Sequence, residues 1–287
     1  MFSEPEEVVE GQNNTRLLSP FNFDSELCSS LNPTHDQDTS IISTEEAMSN
    51  EYIQATDNIP RQNRLHWVLP AAQTRRDQKL FENLQTTPGH SLRLIPRLVL
   101  NGNSVIDTGG VFRDTINRVF RSIYESDIFE STNVGAPKSF RELSPIEFEY
   151  HKAKYFVLGK IFYWFVIIHR QVPYPMDINP AIVAYAIHGK IPRSILQQID
   201  ASVNILIQEI AGYNSEATAN DITENVKDWL RIIGVPLEDF TNDLQNPSKG
   251  ASYLADNIAT LAVVNNSLQA FDHFRDGFND QRGFETV

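Results

Sequence analysis

Apolar positions along the chain fall mainly at helical spacing. Phe112, Ile116, Val119, Phe120 and Ile123 form one stripe, with Arg113, Asp114, Asn117, Arg118 and Arg121 largely off it, so an amphipathic helix is expected over 111–124. Ser144-Pro145-Ile146-Glu147 is a helix start. The serine caps, the proline takes the first helical position, and the glutamate stands where a capping box needs it. That helix is expected to run from 145 to near Ile168. Its second half, around YFVLGKIFYWFVII (155–168), is apolar on nearly every side and belongs in the middle of a domain. Gly159 either weakens it or admits a close neighbour.

Further on, Asn179-Pro180 opens a short helix to Ile187, which Gly189 stops. A longer helix is expected from Ile195 to Ile210, with Leu196, Ile199, Val203, Leu206 and Ile207 on its apolar side. Asp221 with Glu224 reads as the cap of the next, which carries Ile222, Val226, Trp229, Leu230 and Ile233. Residues 241–250 read as loop, and a last helix is expected from about Ser252 to Phe274. Strand signals are sparse. SLRLIPRLVL (91–100) alternates at Leu92, Leu94, Leu98 and Leu100, with Pro96 arguing for an edge or bulge. Residues 130–143 read as loop, and one helix is expected around Arg75–Leu84. The fold class is therefore mostly α (α+β), helical with a few short strands.

Residues 1–60 differ. They hold thirteen Ser and Thr, and twelve acidic residues stand against Arg16 alone, a local charge of −11. Such a stretch cannot bury enough apolar area to offset its ordering entropy, so a disordered acidic tail is expected there, with the folded domain at 61–287. The stretch reads as a tail throughout, with Phe21-Asn22-Phe23 and Glu45–Met48 as the pieces that could serve as short docking elements. Residues 61–100 carry seven cationic residues against Asp77 and Glu82, a charge of +5. The tail is suited either to lie against this stretch or to keep the chain in solution.

With a net charge of −13 over 287 residues, duplex DNA is not the expected partner, because phosphate contacts need a basic face. The basic stretch leaves a small nucleic-acid reading open. The acidic N-terminus is not a secretory signal, and a 14-residue apolar run is too short to cross a bilayer of about 30 Å. A cytoplasmic or nuclear place of work is expected.

Candidate chemistry is thin. Asp107-Thr108-Gly109-Gly110 has no second Asp-Thr-Gly to complete a protease dyad and lacks phosphate-loop spacing. It reads as a tight turn before a helix, with Gly110 closed to larger side chains. The seven histidines, His35, His66, His90, His151, His169, His188 and His273, include no pair at His-x-x-x-His or His-x-His spacing. His151 reads as packed or solvated, and His169 as a helix-end residue. Cys28 is the single cysteine. Asp24 and Glu26 beside it disfavour the thiolate. Trp164 and Trp229 read as core or interface residues, and Tyr174 as a loop anchor. No catalytic, cofactor-binding or metal-binding residue is assigned.

Three stretches, in order, resemble the N-terminal lobe of HECT-type ubiquitin ligases. They are Leu98–Gly102 through Asp107-Thr108-Gly109-Gly110-Val111-Phe112-Arg113-Asp114, then Tyr155-Phe156-Val157-Leu158-Gly159-Lys160, then Phe271 through Phe274-Arg275-Asp276-Gly277-Phe278. The flavour is nearest the divergent G2/M phase-specific type. Asp114 stands where that family usually has glutamate. The resemblance covers roughly 90–281. It implies a helical lobe that docks a ubiquitin-conjugating enzyme through a small subdomain, here about 195–245, with Trp229, Ile232, Ile233 and Pro236 as candidate contacts. For each of these four, burial within the lobe is the first expectation. It also implies that the catalytic cysteine belongs to a C-terminal lobe, which nothing in this sequence matches. The chain is thus expected to be a truncated ligase lobe that binds a conjugating enzyme but forms no ubiquitin thioester alone. The alternative is a non-enzymatic protein-interaction or regulatory domain unrelated to ubiquitin. The protein substrate is unknown.

Overall fold

The computed structural model describes residues 65–92, 96–100, 103–104, 110–131, 137–164, 177–246 and 249–280. The expected tail with Cys28, the Asp107-Thr108-Gly109 turn, His169 and Tyr174 lie outside these residues, and so do the side-chain surroundings of Gly110.

The described residues open with a β–α–β unit. Strand β1 (His66–Leu69) leads into helix α1 (Gln73–Thr86) and back to β2 (Arg97–Leu100), which pairs parallel to β1. A short β3 (Asn103–Ser104) adds antiparallel to β2, so the sheet order is β1-β2-β3. Of the strand expected over 91–100, the described residues form Arg97–Leu100. Gly89–Leu92 forms a 3-10 turn instead, and among the described residues pairing begins after Pro96, which has no N–H to give a ladder.

Helix α2 (Gly110–Tyr124) follows. Its expected stripe is buried from Phe112 to Ile123. Residues 130–143 are not all loop. Strands β4 (Phe129–Glu130) and β5 (Ser139–Phe140) pair antiparallel. Phe140 is a core residue, with ring centroids 5.0 Å from Tyr155 and 5.2 Å from Phe271.

Helix α3 (Pro145–Tyr163) starts on the expected capping box. The Glu147 N–H donates to Ser144 Oγ at 3.3 Å, and the Ser144 N–H donates to the Glu147 carboxylate at 3.0 Å. From Val157 to Trp164 every residue is buried, so the apolar half of α3 is the centre of the domain. Helix α4 (Pro180–His188) is capped by the Asn179 side chain and closed by Gly189 at φ 67°.

The remaining helices break more often than the periodicity suggests. The single helix expected over 195–210 is two, α5 (Arg193–Ile199) and α6 (Ala201–Ala211). Asp200 separates them in extended conformation (φ −150°), and its carboxylate accepts from the Ser202 N–H at 2.7 Å. A capping side chain has cut the helix without interrupting the apolar stripe. Helix α7 (Glu224–Ile232) is capped by Thr223 rather than Asp221. Asp221 accepts instead from the Thr218 N–H and hydroxyl. The loop expected over 241–250 overlaps α8 (Leu237–Gln245), which buries Phe240, Thr241 and Leu244.

The last expected helix is also two. Between α9 (Ala251–Val264) and α10 (Leu268–Asp280) lies a 3-10 turn at Asn265–Ser267. There the Asn265 side-chain amide donates to the Ile232 carbonyl at 3.2 Å and caps the end of α7. Helix α10 lies along α3 and also touches α4, α6 packs on α9, and α1 packs on α2. No helix among the described residues is long and apolar enough to cross a membrane.

Candidate functional site

The contact between α3 and α10 is made by main chains. A Cβ on Gly159 would run into the Phe274 carbonyl oxygen and lie 2.6 Å from the Phe278 nitrogen. One on Gly277 would meet the Phe156 carbonyl, with its carbon 2.7 Å away. Both are nearer than any real side-chain carbon comes, so two glycines facing each other set the crossing. Aromatic rings close it on either side. Phe162 meets Phe274 edge-on at 5.3 Å, and Tyr163 meets Phe278 at the same distance. Of the two options for Gly159, close approach is the one realised.

Beside Gly159 sits Lys160, which is 1% exposed. Its ammonium donates to the Leu84 carbonyl at 3.0 Å and the Thr87 carbonyl at 2.8 Å, and pairs with the Asp280 carboxylate at 2.8 Å. Leu84 belongs to the last turn of α1, whose carbonyls have no partner within the helix. Lys160 therefore caps α1 from outside and ties it to the ends of α3 and α10. Burial pulls its pKa below the ordinary lysine value, and Asp280 acts in the opposite direction.

Helix α10 also clamps α4. The Tyr185 hydroxyl donates to Asp272 at 2.9 Å. Burial, reinforced by that carboxylate, pushes the tyrosine up to about 12. The Arg275 guanidinium covers Gly189, where a Cβ would stand 2.7 Å from a guanidinium nitrogen. The Asn279 amide donates to the Ala186 carbonyl at 3.4 Å. Lys160 and the Asn279 amide thus serve carbonyls near helix ends, which is a structural use of polar groups.

The block α5–α9 (193–264) is joined internally in the same way. Arg193 pairs with Asp256 at 2.7 Å and donates to Ser252, tying the start of α5 to α9. The four candidate contacts do not share one environment. Trp229 and Ile233 are partly buried against the core, Pro236 is exposed, and Ile232 is 62% exposed. Expected burial therefore fails at Ile232 and Pro236. Ile232 faces out because the α7 stripe falls on Val226 and Leu230.

Among the described residues, the other singled-out side chains take packing positions. Of the two options for His151, packing is the one realised, with Nε2 3.4 Å from Asp127 and its ring against Tyr150. Trp164 is core, edge-on to Phe112 at 5.3 Å. Among the described residues no group of three or more His, Cys, Asp or Glu side chains is arranged to hold a metal ion. Sequence reading missed Phe140 and the role of Asn265. Phe140 lies in a stretch without period, and Asn265 falls mid-stripe; the signal there was the Asn-Asn-Ser run, three poor helix formers in succession.

Neither the models of known protein families nor the curated proteins contain a match to this chain.

Proposed function

We propose that the chain is a protein-docking lobe of the HECT N-terminal type, which engages a ubiquitin-conjugating enzyme through α5–α8 and accepts no ubiquitin itself. The observation that carries this reading is the glycine crossing. Two of the three stretches that resemble the family, Tyr155-x-x-x-Gly159-Lys160 and Phe274-x-x-Gly277-Phe278, meet there, each glycine making room for the other's motif. A shared reason for two separate motifs supports a shared architecture. Exposed Ile232, with Pro236 and part of Trp229 nearby in sequence, gives the 195–245 block an apolar point available to a partner.

The negative half follows from chemistry. Thioester transfer needs a thiolate, and residues 29–287 contain no cysteine. The chain works in the cytoplasm or nucleus, and its protein substrate stays unassigned. The second reading is an interaction domain with no ubiquitin link, which needs only the helical core and an exposed apolar point such as Ile232.

The test mixes the full chain with activating enzyme, ATP, ubiquitin and a panel of conjugating enzymes, read on non-reducing gels and by NMR titration. No DTT-sensitive ubiquitin adduct forms on the full chain, and one conjugating enzyme shifts α7 signals with a Kd near micromolar, about −8 kcal/mol. Ile232→Asp abolishes those shifts while the circular dichroism is kept. A silent panel returns the chain to the second reading.

A further inference from the structure

We infer that the outer face of the β1–β2 sheet is a docking surface for the chain's own N-terminal segment Pro20–Glu26, PFNFDSE. In β1 the side chains alternate, with Trp67 and Leu69 buried and His66 and Val68 outward. The parallel register sets His66 beside Arg97 and Val68 beside Val99. The outer face therefore holds an apolar pair next to a cationic residue, with Val68 66% exposed. Arg97 is exposed and has no ion-pair partner among the described residues. Strand β1 lies at the sheet edge and pairs only with β2 among the described residues, so one row of its backbone groups is open to an added strand.

Charge selects the occupant. Residues 61–124 hold ten Lys and Arg against four Asp and Glu, whereas residues 125–287 hold thirteen against twenty-one. An acidic segment is drawn to the first part and repelled by the second. Residues 1–60 carry −11, and within them Phe21-Asn22-Phe23-Asp24-Ser25-Glu26 joins two aromatics to two acids. Phe21 and Phe23, two apart, share one side of an extended chain, which matches the Val68–Val99 pair. The described chain starts at residue 65, next to β1, so the nearly forty residues between Glu26 and β1 reach the sheet with ample slack. Tethering also lets a weak contact form, since the effective concentration is of millimolar order.

Cys28, two residues beyond Glu26 and the single cysteine, allows a direct test in the full chain. A nitroxide on Cys28 should bleach the amide signals of His66–Leu69 and Arg97–Leu100 while sparing α7 and α8. Phe21→Ser with Phe23→Ser should restore them, and so should Arg97→Glu, with circular dichroism unchanged. Full intensity at these amides, or bleaching centred elsewhere, overturns the inference. So does bleaching that appears when nitroxide-labelled chain is mixed with isotope-labelled chain lacking the nitroxide, because the occupant is then a second copy.

Discussion

Where α3 meets α10 the main chains touch, whereas α6 and α9 are held apart by side chains. In the first contact Gly159 and Gly277 contribute only the absence of a Cβ. In the second, Val203, Leu206, Ile207 and Ile210 on one helix and Leu254, Ala255, Ile258 and Ala259 on the other supply the buried area. A side-chain interface can adjust by rotamer, and volume-conserving changes there are tolerated. A backbone crossing has no such freedom, because the obstructing atoms are peptide carbonyls. The two regions should therefore differ in tolerance to substitution, the first intolerant of one added carbon and the second graded.

The strongest way to break that contrast is Gly277→Ala. The new carbon must displace the Phe156 carbonyl, and a loss of about 3 kcal/mol or more is expected. Urea denaturation followed by circular dichroism reads it directly; a midpoint close to that of the unaltered protein would show that the helices can slide apart cheaply. Next comes Lys160→Met, which fills the volume but leaves the Leu84 and Thr87 carbonyls and the Asp280 carboxylate without their cation. Since Asp280 is about one-third exposed and can rehydrate, a loss of about 2 kcal/mol is expected. In the side-chain region, Arg193→Ala removes a partly exposed pair and should cost about 1 kcal/mol. Ile232→Asp, at an exposed position, should stay within about 0.5 kcal/mol, so any effect on partner binding is not a folding effect.

The smallest expected effect is a pH dependence. Burial, then Lys190, holds His188 below the ordinary histidine value of 6.5. A depressed pKa means that its contribution is fully present above 6.5 and is lost as pH falls through the folded value. His188→Gln should flatten the stability profile on the acid side of 6.5 and leave the plateau above it unchanged. An unaltered acid limb would remove His188 from the account.

Much of this was readable in the sequence where side chains carry the information. The α2 stripe, the Ser144–Glu147 box and the Asn179-Pro180 start each place residues by periodicity or capping, and each is found. The breaks at Asp200 and Asn265 were not readable from the stripe, because apolar spacing continues across both. What cuts the chain is a polar side chain, accepting from the Ser202 N–H at Asp200 and donating to a distant carbonyl at Asn265. Helix α8 escaped because its core residues, Phe240, Thr241 and Leu244, are few and begin after Pro236. Phe140 could not be placed because a two-residue strand has no period. For the candidate surface, sequence located the block but not which residues face out, since exposure at Ile232 depends on how α7 is rotated against its neighbours.

Lys160 carries a chemical consequence of its burial. An amine enclosed by two carbonyls, a carboxylate and the Phe156 ring 4.6 Å from its nitrogen cannot be reached by an acylating reagent while the fold is closed. Exposed lysines such as Lys152 and Lys190 react at once, whereas Lys160 reacts only through opening of the crossing. In a time course of amine labelling read by mass spectrometry, Lys160 is thus a built-in clock for that opening, recorded under native conditions without denaturant.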